Sequence, residues 1–254
     1  MQDEERLTQV QINIVNLIWS FDRAENQVNL LLVKRAEEPA QGMWSLPETF
    51  LGEDESADQG ALRLVRDKIG LKLAAFHTEQ LETFTAPRRV RAGQRVLSLA
   101  YMTFLPEMPP LDPGYGASDA RWFSLQVLED EYCFSNGSAK FRVAAAQNQR
   151  DYYQALGEYA ATRPESLAFD HEWIIKIACL RIKNKLDYQP NILLTLGQTF
   201  TLKEARCVYA PFLKTTMEHI DNSNFKKTHG KLFEETGTVE SRHRGRPANL
   251  YRLR

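Results

Sequence analysis

Two groups of residues in this 254-residue chain have the types and spacing to do chemistry, and both are cationic. The first lies near the C-terminus: Asn224-Phe225-Lys226-Lys227, then Lys231, then Arg242, Arg244 and Arg246. Lysines on a helix meet phosphates, and an asparagine near the helix start can reach a base edge in the major groove. Arg244-Gly245-Arg246 is an extended arginine pair of the kind that enters a narrow, A·T-rich minor groove. An exposed basic hairpin with no partner is the competing reading. The second group is Arg35, Arg88 and Arg91, whose guanidinium forks pair with phosphates or a carboxylate, together with Trp44, whose ring can stack on a ligand. These residues read equally well as structural ion pairs and a core aromatic. His171, His219, His229 and His243 lack metal-ligand spacing and read as capping, surface or phosphate-contact residues. The three cysteines are odd in number and also lack that spacing, so they read as reduced cytoplasmic thiols.

Positioning such groups needs a framework, and hydrophobic periodicity supplies one. Residues 11–21 and 27–33 are rich in Ile, Val and Leu around a polar turn at 22–26, which predicts two strands. A loop with Pro39, Gly42 and Pro47 follows. Ala57, Ala61, Val65 and Ile69 recur at four-residue spacing and predict an amphipathic helix over 56–69, capped by Ser56 and stopped by Gly70. Strand-like runs return at 81–85, 96–104 and 120–123, with a basic loop at 88–95. The order predicts an α/β (or α+β) mixed sheet with helices. Asn136-Gly137 marks a hairpin between 132–134 and 141–143. A helix over 172–187, with Asp170 as its cap, buries Ile174, Ile175, Ala178 and Ile182 and turns Lys176, Arg181, Lys183 and Lys185 outward.

The last 64 residues predict a smaller unit. Thr201 caps a helix to about Leu213, with Glu204 at the capping-box position. Residues 221–223 offer caps for a second helix over 224–235, ended by Thr236-Gly237. Short strands at 238–240 and 250–253 pair around a basic loop. Helix, turn, helix and a two-stranded wing is the winged-helix arrangement.

Charge divides the same way. Residues 191–254 hold eleven Lys and Arg against six Asp and Glu, whereas the chain as a whole is at −1. A basic end on an acidic body suits a polyanion; a solvated basic face accounts equally for the count. The acidic N-terminus and the absence of any long apolar run disfavour secretion and membrane insertion.

Trp44-Ser45-Leu46-Pro47, Phe50-Leu51 and the helix closing at Gly70-Leu71 resemble a Nudix hydrolase box. Aligned on Gly70, the box places Thr49 at the family's first glycine and Glu55 and Arg63 at their expected positions. Leu64, Asp67 and Lys68 then replace the three family glutamates. Nudix hydrolysis uses clustered carboxylates to hold divalent metal against a diphosphate; leucine cannot ligate, and lysine brings the wrong charge. The resemblance therefore implies a degenerate box, no metal and no cofactor.

Phe200-Thr201-Leu202-Lys203-Glu204, the 224–227 string and Arg244-Gly245-Arg246-Pro247-Ala248-Asn249-Leu250-Tyr251 resemble the Nudix-related transcriptional regulators. In that family a Nudix-like domain senses a metabolite and a winged helix binds operator DNA. Residues 167–171 resemble its interdomain linker, and Arg88-Arg89-Val90-Arg91-Ala92-Gly93 stands where the family often shows an Arg-Asp-Pro-Arg-Gly loop. The implied organisation is a sensing domain over 1–166 with an insertion at about 126–166, a linker helix over 167–190 and a winged helix over 191–254. The implied protein is a cytoplasmic homodimer that binds double-stranded operator DNA and answers an ADP-ribose-like nucleotide or a sugar derivative. A working Nudix hydrolase of nucleoside diphosphate derivatives is the alternative.

Overall fold

The structure is a computed structural model. It describes residues 10–69, 77–159, 161, 163, 165–238 and 247–254, without the side chains of residues 68 and 69. Strands β1 (Val10–Asp22) and β2 (Gln27–Arg35) form an antiparallel hairpin. Its turn is set by Asp22, whose carboxylate accepts from the amides of Ala24 and Glu25. The short β3 (Trp44–Ser45) and β4 (Glu48–Phe50) attach to β2 and β1. Helix α1 (Ala57–Ile69), β5 (His77–Phe84), β6 (Val90–Arg91), β7 (Gln94–Phe104) and β8 (Ala117–Leu128) follow. Strands β9 (Glu131–Asn136) and β10 (Ala139–Arg142) and helices α2 (Gln149–Leu156) and α3 (His171–Lys185) complete the first part.

The sheet runs β10-β9-β8-β2-β1-β7-β5. Strands β1 and β7 are parallel and the other described pairings are antiparallel, which makes the sheet mixed. Strand β1 is buried without a break from Asn13 to Phe21 because both of its faces are covered. Val15, Leu17, Trp19 and Phe21 point into the main core, while Ile14 and Ile18 alternate onto the opposite face. There they meet Ala61, Leu64 and Val65 of α1. Ser56 caps α1 reciprocally with Gln59: each backbone amide donates to the other's side chain. The Asn136-Gly137 turn joins β9 to β10, so residues 126–142 extend the sheet.

Beyond α3, a 3₁₀ turn (Asn191–Leu196) leads into β11 (Phe200–Thr201), α4 (Leu202–Phe212), α5 (Asn222–His229), β12 (Phe233–Thr238) and β13 (Asn249–Leu253). Thr201 and Glu204 close the expected capping box on α4. The wing is a three-stranded sheet, β11-β13-β12, with one short strand more than the sequence suggested. The helix expected over 224–235 ends at His229, and a 3₁₀ turn (Gly230–Leu232) leads directly into β12. Cross-strand pairing overrides helix propensity here: Phe233 is buried opposite Leu253, and Glu234 bonds Arg252. Helices α3 and α4 share the main core through Ala178, Cys179, Ile182, Val208 and Tyr209. Among the described residues, no helix is long and apolar enough to cross a membrane.

Candidate functional site

A cavity of about 430 Å³ opens between β1, β2, β4 and α1, within the size range of small-molecule sites. Its polar centre is Glu48, on β4. Arg35 donates to Glu48 Oε1 at 2.7 Å, Arg91 spans both carboxylate oxygens at 3.0 Å, and Asn13 Nδ2 donates to Oε2 at 2.9 Å. Burial alone would raise the Glu48 pKa; Arg91, His171 and Arg35 outweigh it and hold the carboxyl at about 2. His171 is itself fully buried, and burial, outweighing Glu48, pulls its pKa down to about 4. It is therefore neutral at pH 7, where the two arginines carry the effect on Glu48. Its Nδ1 accepts from the Leu46 amide at 2.9 Å, which leaves the proton on Nε2, 3.9 Å from Glu48 Oε2. Phe169 lies beneath the arginines, with the Arg91 guanidinium 3.9 Å and that of Arg35 4.9 Å from its ring centre.

Of the four residues expected to bind ligand, the fold brings Arg35 and Arg91 together and leaves Arg88 and Trp44 out. Arg88 is exposed and donates to the Tyr153 carbonyl at 2.9 Å. Trp44 is partly buried and packs edge-on against Phe123 at 5.0 Å, with the Arg121 guanidinium 5.5 Å from its ring centre, away from the cavity lining. Arg89, next to Arg88, is the one drawn inside. It reaches Asp170 at 3.3 Å, the Phe84 carbonyl at 3.1 Å, Ser98 Oγ at 2.5 Å and Tyr159 OH at 2.9 Å. Burial would lower its pKa; Asp170 and the neighbouring tyrosine hydroxyls outweigh that and raise it. Asp170 stands at the α3 cap position but makes no cap bond, because its carboxylate is turned to Arg89 and Tyr153.

The degenerate box keeps its scaffold. Arg63 grips Glu55 with bonds of 2.5 and 2.9 Å, and also bonds Thr49 Oγ1 and the Phe50 carbonyl. This grip, with the Gly52 amide, lowers the Glu55 pKa to about 2. Leu64 is fully buried among Ile14, Ala61 and Tyr101, Asp67 is exposed at the cavity, and the Lys68 side chain lies outside the described residues. Of these box residues, Glu55 is occupied by Arg63, Leu64 faces the core, and Asp67 is the carboxylate left at the cavity, which Glu37 and Glu38 also line. These residues do not fit a divalent-metal site for diphosphate hydrolysis.

The winged helix presents a second candidate surface. Phe225 and His229, four apart on α5, are buried, which turns Asn224 and Lys227 to the opposite, exposed face. Lys226 lies to the side, its Nζ 5.6 Å from the Tyr251 ring centre. Lys231 is exposed on the 3₁₀ turn after the helix, not on the helix itself. Arg242, Arg244 and Arg246 lie outside the described residues, as does His243. Lys203 and Arg206 of α4, which the sequence reading passed over, join Lys226 along a groove of about 800 Å³. His229 is buried against Tyr209 and Phe225, and its Nδ1 is 3.6 Å from Asp187; His219 is exposed beside Thr216.

Sequence reasoning missed Glu48, Arg89, Asp170 as a charge partner and the buried role of His171. The one available signal for Glu48 was a carboxylate directly after Leu46-Pro47 between apolar runs.

Comparison with known proteins is consistent with this geometry. The NUDIX domain family model matches residues 14–142, just over half of the chain, and the NrtR DNA-binding winged helix domain matches residues 192–253. A curated relative from Acinetobacter baylyi, the ADPR responsive transcriptional repressor NtrR, is 25% identical over 241 residues, which cover 93% of this chain and 79% of that protein. The crystal structure of a MutT/nudix family protein from Enterococcus faecalis superposes with a TM-score of 0.80 at 28% identity, covering 97% of this chain and 87% of that one. Shewanella oneidensis NrtR, crystallised with a 27mer DNA, shares the fold with a TM-score of 0.63 at 24% identity, covering 96% of this chain and 93% of that one. The chain belongs to the NUDIX domain family and carries an NrtR-type winged helix at its C-terminal end.

Proposed function

We propose that the chain is a ligand-responsive transcriptional regulator: a homodimer whose winged helix binds double-stranded operator DNA and whose catalytically degenerate Nudix-like part senses a metabolite. An ADP-ribose-like nucleotide is the leading effector and a sugar derivative the second. The observation that carries the reading is the pairing of a cavity whose arginines converge on Glu48 with a helix that exposes Asn224 and Lys227. The name of the Acinetobacter relative supports both the effector and the DNA. Two copies, each reading half of an inverted repeat, would place half-site centres about one or two helical turns apart, a turn being ~34–36 Å.

The test is direct. Operator duplexes selected from a random pool should bind the purified chain with strong salt dependence, and ADP-ribose should shift that affinity several-fold. Steady turnover of ADP-ribose with Mg²⁺ or Mn²⁺ at ordinary enzyme rates would overturn the regulator reading. So would the absence of salt-sensitive DNA binding.

A further inference from the structure

Phe169 is buried beneath Arg35 and Arg91 of the cavity, two residues before α3 begins. It occupies left-handed backbone, φ 59°, a conformation that a bulky residue adopts only when its surroundings impose it. Those surroundings are the Arg91 and Arg35 guanidiniums above, Tyr159 stacked at 5.3 Å and His171 edge-on at 5.5 Å. Asp170 follows, held by Arg89, and α3 begins at His171. The helix runs 15 residues, about 22 Å. Past its end, the Leu186 carbonyl accepts the Tyr209 hydroxyl of α4 at 2.8 Å. Arg35 and Arg91, which line the cavity, therefore also fix the residue from which the path to the winged helix departs.

A second observation points the same way. His171 Nε2 is buried with no hydrogen-bond partner among the described residues, although it lies 3.9 Å from Glu48 Oε2. A buried donor left unpaired is costly, and a displacement of about 1 Å would bring it within hydrogen-bonding distance of the carboxylate. Glu48 thus has a further partner within reach, and in this structure Arg35, Arg91 and Asn13 hold it.

We propose that Glu48 is a resident anion for Arg35 and Arg91, that an anionic effector takes these guanidiniums from it, and that Glu48 then turns to His171 while Phe169 and the start of α3 are released. The proposal rests on the sensor reading above, and it deepens it. Phosphate and carboxylate ligands address a guanidinium through the same two-point geometry that Glu48 uses, so both cannot hold the arginines at once. The exchange gives the ligand different contacts in the two states, which is what a shift of population requires. The ligand class is a phosphate- or diphosphate-bearing metabolite.

The test uses the full chain, with ADP-ribose and inorganic pyrophosphate as probes. Readouts are the dissociation constant of each probe with and without operator DNA, and backbone hydrogen exchange over 167–175. In the wild type, bound probe should speed exchange over 167–175. Glu48→Gln removes the resident charge, so it should bind probe at least tenfold more tightly and show fast exchange there without ligand. Phe169→Leu keeps the arginine–carboxylate pairs but removes the ring that ties them to α3, so the ratio of probe affinities with and without DNA should fall toward one, whatever the affinity of the DNA-free chain. That second variant keeps the test decisive if Glu48→Gln does not fold. Weaker or unchanged probe binding in Glu48→Gln, or exchange over 167–175 that no probe or variant alters, overturns the exchange. If ADP-ribose still regulates DNA binding in that case, the sensor reading stands alone. If pyrophosphate gives the expected pattern and ADP-ribose does not bind, the exchange stands and the effector assignment falls. Failure of both probes to bind overturns the exchange as well.

Discussion

Arg89→Met is the sharpest test of the buried framework, because its neighbour Arg88 serves as an internal control. Arg89 and Asp170 have fully buried side chains 3.3 Å apart. Arg89 also donates to Phe84, Ser98 and Tyr159, which ties β5, β7 and the segment after α2 to the start of α3. Methionine fills much of the same volume but leaves Asp170 a buried charge with Tyr153 as its remaining hydrogen-bond partner. Breaking a buried pair on one side costs about 3–5 kcal/mol, a large share of a total near 5–15 kcal/mol. At roughly 2–4 °C per kcal/mol for a chain of this size, the melting temperature should fall by about 6–20 °C. Arg88→Ala removes an exposed side chain and should cost about 1 kcal/mol or less. Adding Asp170→Asn to Arg89→Met neutralises the stranded charge and should restore about 1–3 kcal/mol. Urea unfolding of these three variants and of Asp170→Asn alone, at constant m-value, measures all of these terms. If Arg89→Met costs no more than Arg88→Ala, or if the double variant is simply additive, the Arg89–Asp170 pair is not the keystone described here.

Four further outcomes follow from the geometry. Leu64→Glu, which restores the carboxylate type of an active box, should destabilise by roughly 3 kcal/mol or more and give no ADP-ribose hydrolysis with Mg²⁺, because the side chain enters the apolar cluster of Ile14, Ala61 and Tyr101; a folded, active variant would contradict this. Glu48, with a folded pKa of about 2 against an ordinary 4.5, stabilises above pH 4.5 and loses that contribution as pH falls toward 2. His171, held neutral at about 4 against 6.5, loses its contribution between pH 6.5 and 4, so melting temperatures across pH should show Glu48→Gln flattening the lower window and His171→Gln the upper. Lys227→Ala should lower the slope of log affinity for DNA against log salt by about 0.9 if it meets a phosphate, while Asn224→Ala should reduce discrimination between operator and scrambled duplexes at unchanged slope. Thr201→Ala opens the capping box on α4 and should cost about 0.5–2 kcal/mol by urea unfolding.

What the sequence by itself determined is what rests on neighbours within a turn or a strand. Ala57, Ala61 and Val65 define the inner face of α1 by spacing alone, and Thr201 with Glu204 starts α4, because both effects act over three or four residues. The placement of Phe225 four before His229 likewise dictates that Asn224 and Lys227 face outward. The length of that helix was not legible in the same way. The pairing of Phe233 with Leu253 joins residues far apart in the chain, and it turns 233–238 from helix into strand. The cavity depended on tertiary structure most of all. Arg88, Arg89 and Arg91 are near-identical as sequence, yet one is exposed, one is sealed against Asp170 and one holds Glu48. Their fates are set by β6 pairing with β7 and by α3 returning against β3 and β4 from more than a hundred residues away. Glu48 and His171 become a pair only when that return brings them to 3.9 Å, and no local pattern encodes a distance between two charges that the chain does not place side by side.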